Sequence, residues 1–394
     1  MRKISYILLL VVITWWGCKK PYAPVAIVSN NNYLVVEGVI SAGADSTIIQ
    51  LSRTVKLSAS TTINPELGAT VTVENASGAS YPVTETGKGY YKAVGLNLDA
   101  SQQYRLKIIT SGNKVYESDL VAVKNSPPID SVNYQVNSKG VSIFVNTHDP
   151  ANNTFYYRWS YVETYIIHAE YQSIVKLQTV PFDTVVLRPA SEQVYECWRN
   201  DSSLNVLIGS SAKLKKDVIY ESPLTSILTG DEKLANRYSI LVTQYALTAD
   251  AFNYWQNIEK NTEQLGSIFD AQPSEISGNM HCVTNPSEPV IGYISVGNSS
   301  QARIFIDNIN LPAWITPDNS DCMETGYPFT AVDQHGRITY PVQQYIYTGE
   351  VFPIQPIQAP GGPITGYVGT TRECADCTLR GTNIKPPFWI DYKP

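Results

Sequence analysis

The feature that most constrains this chain is a run of short alternating segments that begins at Leu34. Residues 34–40, 47–52, 69–74, 81–84, 90–94, 103–109 and 114–118 are rich in β-favouring residues, and Gly, Asn, Ser or Asp clusters interrupt the chain between them. Alternation with a period of two buries one face of a strand and wets the other. Short strands at such regular spacing pack as a β-sandwich. Residues 33–125 are therefore expected to form an N-terminal sandwich, closed by Asn125-Ser-Pro-Pro128, where a proline pair ends strand pairing.

Residues 129–394 are expected to form a larger β-rich domain. In the segment 155–161, Phe155, Tyr157, Trp159 and Tyr161 share one face, a spacing that resembles the core strand of fibronectin type III and related sandwiches. Further strands are expected at 140–146, 185–187, 193–198, 204–208 and 238–245, and a hairpin around Gly297 joining 289–296 to 302–306. The one strong helix is expected near 248–265, with Thr248 as N-cap and Asp250 in the first turn. Its stripe of Phe252, Trp255, Ile258, Leu265 and Phe269 is expected to pack on the sheet. The C-terminal stretch is rich in Pro, Gly and Tyr, a composition suited to long loops held by disulfides. The expected fold is mainly β, with two Ig/fibronectin-like sandwiches in tandem, the second elaborated by the amphipathic helix and those loops.

Ahead of the strands stand Met1, Arg2 and Lys3, an apolar run to Trp16, then Gly17 and Cys18. A basic start, a short apolar core and a small residue before the cut describe a secretory signal over residues 1–17. The run is too short to span a bilayer, which takes about 20 apolar residues. A cysteine directly after Gly17 resembles the bacterial lipobox, in which the thiol is acylated, so lipid attachment is expected at Cys18. Residues 18–32 then read as a tether.

The net charge is −6 at pH 7, and no basic cluster interrupts the acidic balance. Nucleic acid, whose binding rests on phosphate neutralisation, is excluded as a partner.

Six cysteines are present, and setting Cys18 aside leaves an odd set: Cys197, Cys282, Cys322, Cys374 and Cys377. Cys374-Ala-Asp-Cys377 could be a redox pair or half of a zinc site completed by His281 and Cys282. It lacks the βαβ context of a redox motif, and structural disulfides are the favoured reading. One scheme joins Cys282 and Cys322 to Cys374 and Cys377; sequence alone does not fix the connectivity.

No nucleophile elbow, His-Glu-x-x-His or phosphate loop occurs, and the four histidines sit in unrelated contexts. Asp149 with Asn152 and Asn153 reads as a turn rather than a calcium loop. No catalytic residue, metal ligand or cofactor is assigned, and the chain is expected not to be an enzyme. Exposed aromatics can stack on sugars or anchor partners. Tyr327, Tyr340, Tyr345 and Tyr347, in the loop-rich C-terminal region, are the candidates for a glycan, peptide or protein contact.

Several segments together resemble a Bacteroidetes lipoprotein family described as domain of unknown function 4249. They are Cys18, Leu34-Val-Val-Glu-Gly38, Cys197-Trp-Arg199, Asn285-Pro-Ser-Glu-Pro-Val-Ile-Gly-Tyr293, Arg303-Ile-Phe-Ile306, Cys374-Ala-Asp-Cys377 and Lys385-Pro-Pro-Phe-Trp389, spread over nearly the whole chain after Cys18. The resemblance implies an outer-membrane lipoprotein and a partner or lid for a TonB-dependent receptor, with no family catalytic residues to carry over. A free-standing glycan-binding or adhesin-like surface lipoprotein is the alternative. Lys19 and Lys20 stand where outward-exported relatives carry acidic residues, which leaves both the cell-surface and the periplasmic face open.

Overall fold

The computed structural model describes residues 32–55, 63–263, 278–314 and 321–392. The expected signal run, Cys18, the expected tether up to residue 31, Leu265 and Phe269 lie outside the described residues.

The chain is mainly β. All seven segments expected between Leu34 and Ser118 are strands, from Leu34–Ser41 to Val115–Ser118. Their alternation fills one core: Val71 and Val73 point inward between exposed or half-buried neighbours, and Leu106, Ile108, Tyr104 and Tyr116 close over them. Each fully buried side chain of this size contributes about 1.5–3 kcal/mol.

This body is not made from residues 33–125 alone. Met280–Cys282 pairs antiparallel with Val115–Ser118 at one end of the sheet. Val290–Ile291 and Ser295–Gly297 pair parallel with Leu34–Ser41 at the other. Met280, Cys282, Val290, Ile294 and Val296 enter the first core, and buried Asn279 clamps the return by hydrogen bonds to both the amide and the carbonyl of Ile294, at 2.8 and 2.9 Å. The expected assignment of the whole of 129–394 to the second domain is thus corrected for this segment. The expected hairpin around Gly297 is replaced by a crossing: Ser295–Gly297 stays with the first body, whereas Ser299–Asp307 pairs with Arg237–Ala246 of the second. Strands of two or three residues carry no readable period, so their partners are set by tertiary contact.

The second body packs a three-stranded sheet, Ile129–Asn137, Gly140–His148 and Val218–Leu228, against a five-stranded one built on Tyr156–His168, Arg237–Ala246, Ser299–Asp307, Glu196–Ser202 and Leu207–Ser210. Tyr157 and Trp159 sit in the shared core, stacked at 5.8 Å, as their spacing predicts. The Trp159 indole donates to the buried Gln244 amide oxygen at 2.8 Å, and the Gln244 amide nitrogen donates to Pro127 O at 2.9 Å, fixing the linker to this core. The two passages between bodies run side by side: the Lys124 amide donates to Val296 O at 2.8 Å and the Ser126 amide to Asn298 O at 3.1 Å.

The C-terminal region is more ordered than loops. Thr325–Pro328, Phe352–Gln358 and Ile364–Thr370 form a sheet over a small core of Val175, Val342, Ile346 and Tyr367. Two disulfides tie it down, Cys322–Cys374 and Cys197–Cys377, each with its Cα atoms 5.7 Å apart. The scheme that included Cys282 is corrected. That thiol is free and buried in the first core, and Cys197, inward on the strand Glu196–Ser202, meets Cys377 instead.

Candidate binding cleft

Tyr156–His168 is a central strand, and its alternation gives Tyr157 and Trp159 to the core and Arg158 to the opposite face. Arg158 lies opposite Tyr245 in the antiparallel register, with its guanidinium carbon 5.0 Å from the Tyr245 ring centre. The helix Ala249–Glu263 crosses this end of the face. Thr248 starts it as expected, its hydroxyl accepting from the Ala251 amide at 3.2 Å. Phe252 then meets Tyr156 at 4.9 Å, and Trp255 lies over Arg158 at 4.2 Å. The expected stripe is therefore used at home in part, although the most buried positions are Ala251 and Tyr254.

Tyr254 reaches the first body, where it packs on Tyr293 at 5.3 Å. The helix is wedged between the bodies and leaves a recess beside Arg158. One cavity of about 390 Å³ is lined by Glu37, Gly38, Trp255, Ile258 and Tyr293 together with Arg158. A second, of about 380 Å³, lies between Gly38, Asp45, Tyr245, Gln301 and the same arginine. Gly38 and Gly292 both have φ near +144°, and a Cβ at either would lie 2.4 or 2.2 Å from a neighbouring carbonyl oxygen. No side chain fits at these positions, so the first body presents bare backbone to the recess.

The electrostatics are unusual. Arg53 meets Glu66 at 2.7 Å, Arg105 meets Glu117 at 2.6 Å, and Arg380 meets Glu232 at 2.8 Å. Arg158 has no carboxylate partner among the described residues; two rings and the Tyr245 hydroxyl are what act on it. Burial pushes its guanidinium pKa down, against the Tyr245 hydroxyl, which raises it. Removing a cation from water costs several kcal/mol, and a desolvated cation–π contact returns about 2 kcal/mol. The arrangement is a cation beside two rings, with the Tyr245 hydroxyl on one N–H and the others bordering the cavities, which suits it to gripping an anion rather than to moving a proton.

The tyrosines named from sequence lie elsewhere. Tyr327 and Tyr345 come together at 5.6 Å; Tyr327 and Tyr347 are partly buried on the small C-terminal core, Tyr345 is half-buried, and Tyr340, at 51% exposure, stands apart. Asp149 receives the amides of Ala151, Asn153 and Thr154 at 2.8–3.0 Å, which is a turn. Cys374 and Cys377 each bond a remote cysteine rather than each other. Among the described residues no group of three or more His, Cys, Asp and Glu side chains converges as a metal site. Arg158 was not singled out from sequence, because a charged residue at the outward phase of a strand looks like an ordinary wetted position. Its neighbours Tyr245 and Trp255 are joined to it only by the tertiary fold.

A solved structure described as that of the Yersinia pseudotuberculosis adhesin InvE is similar at 12% identity over 84% of this chain and 78% of that one, with a TM-score of 0.14, too low to assign a fold. No curated protein matches the sequence. The family described as Domain of unknown function (DUF4249) matches residues 19–303, which takes in every residue of the cleft and stops short of Cys322, Cys374 and Cys377; on that match the chain belongs to this family.

Proposed function

We propose that the chain is an outer-membrane lipoprotein, acylated at Cys18, that serves a TonB-dependent transporter as a non-catalytic accessory or lid subunit and captures substrate in the cleft. The observation that carries this reading is a membrane address, the apolar run ending in Gly17 and Cys18, placed ahead of a two-bodied molecule whose recess offers, between aromatic walls, one cation with no carboxylate partner among the described residues. Those groups hold ligands. Two disulfides agree with an oxidising envelope compartment. In this reading the bodies are Ig/fibronectin-like sandwiches in tandem, and they face the cell surface, with the periplasmic face as the alternative.

The test is gentle detergent extraction through an affinity tag at Pro394, with mass-spectrometric identification of co-purifying proteins. A TonB-dependent receptor in near-equal amount is expected. A protein that emerges alone, and that Cys18→Ser does not release from the membrane, overturns both the partner and the anchor. The half-open ring of Trp255 beside the cavity favours one second reading, a free-standing glycan-binding or adhesin-like surface lipoprotein. Retention on a glycan column without any transporter would replace the first reading with that one.

A further inference from the structure

We propose that the cleft beside Arg158 binds a small monoanion, a single carboxylate carried on a ring, with the guanidinium edge gripping the carboxylate and the Trp255 side of the recess covering the ring. This deepens the capture reading above and names its ligand class. The guanidinium carbon lies 4.2 Å from the Trp255 ring centre and 5.0 Å from that of Tyr245, and the Tyr245 hydroxyl takes one of its N–H groups. Arg158 lines both cavities, where its remaining N–H donors can receive a carboxylate in two parallel hydrogen bonds. The cavity beyond is walled by Trp255, Ile258 and Tyr293 and floored by backbone at Gly38 and Gly292, a slot of about 390 Å³ that fits one ring rather than a chain of them. Glu37 borders this cavity and Asp45 the other, so each side of Arg158 has an acidic wall. Two acidic walls around one cation admit a single negative charge and oppose a phosphate dianion or a polyanion.

Isothermal titration and thermal shift on the detergent-extracted full chain test this, with benzoate and galacturonate as probes and benzamide, galactose and inorganic phosphate as their counterparts. At least one carboxylate is expected to bind and raise the melting temperature while its neutral partner and phosphate do not. Benzoate alone assigns aromatic acids, and galacturonate alone assigns sugar acids. Arg158→Met is expected to weaken that binding about 10- to 100-fold, the loss of a charged hydrogen-bonding partner, while its ligand-free melting temperature stays level or rises. Arg158→Lys, which keeps the charge but not the two-pronged edge, should fall between. The proposal is overturned if no carboxylate binds, if a neutral partner or phosphate binds as well, or if Arg158→Met binds unchanged. It is also overturned if that variant melts well below the wild type, because Arg158 would then be structural. Co-purification is scored separately on Arg158→Met. Binding without a receptor sinks only the accessory-subunit reading, and a receptor without binding sinks only this one.

Discussion

The strand Tyr156–His168 carries two charged side chains in opposite circumstances. On its outer phase Arg158 lies beside two rings with no carboxylate in ion-pair contact among the described residues. On its core phase Glu163, 3% exposed, accepts from Lys233 Nζ and from the Tyr238 hydroxyl, both at 2.6 Å. Asp201 extends that cluster, accepting from the Tyr165 hydroxyl at 2.8 Å with Lys233 3.5 Å away. The cluster around Glu163 is complete within the chain and leaves nothing for a ligand to add. Arg158 is incomplete and opens onto a cavity. A buried charge whose partners are all in the chain belongs to the fold, whereas a half-buried one beside a cavity is where the proposed ligand would add the missing partner.

The largest effect that separates the two is Glu163→Ala. It leaves the Tyr238 hydroxyl unpaired in the core and the half-buried Lys233 with only Asp201 at 3.5 Å, and should cost about 2–3 kcal/mol in urea unfolding. A loss under about 1 kcal/mol would remove the contrast. Replacing both partners, Glu163→Met with Lys233→Met, should recover most of that loss, because no charge is then left buried alone; failure to recover would mean that packing, not charge, dominates there. Arg158→Met should change stability by less than about 1 kcal/mol in the same assay, since it removes an unpaired charge while keeping a flexible side chain against Trp255. A large destabilisation would place Arg158 with Glu163.

The smallest effect concerns a third, solvent-exposed pair. His148 Nδ1 lies 2.8 Å from both Asp130 oxygens, and that hydrogen bond, with the charge of Asp130, raises the imidazole above its ordinary 6.5. Because the folded pKa is raised, any stabilisation is complete below the unfolded value and fades as pH climbs through the folded one. An NMR titration should show the high midpoint in the native chain and its return toward 6.5 in Asp130→Asn, with no measurable change in unfolding free energy.

Much of the fold was legible where the information is local. Alternation located the strands of the first sheet, Thr248 marked the helix start, and the proline pair after Asn125 marked the first passage between bodies. What escaped depends on contacts between distant residues. The return at 279–297 is made of strands too short to show a period, and Cys197–Cys377 spans 180 residues. Two of the tyrosines chosen for exposure, Tyr327 and Tyr347, have a core of their own beneath them in a stretch that reads as loop. The cleft is assembled from one residue of a strand, one turn of a helix and two glycines of the other body, none of which is distinctive alone.

The return segment also sets an order of events. Until residues 280–297 have been synthesised, the Leu34–Ser41 and Val115–Ser118 strands have bare edges, and open edges invite pairing with other chains. The part of this protein that is made first is therefore completed late. A chain stopped anywhere between the two passages would leave the ribosome with a half-closed sheet, and shielding that open edge until the return segment arrives becomes a requirement of its biogenesis.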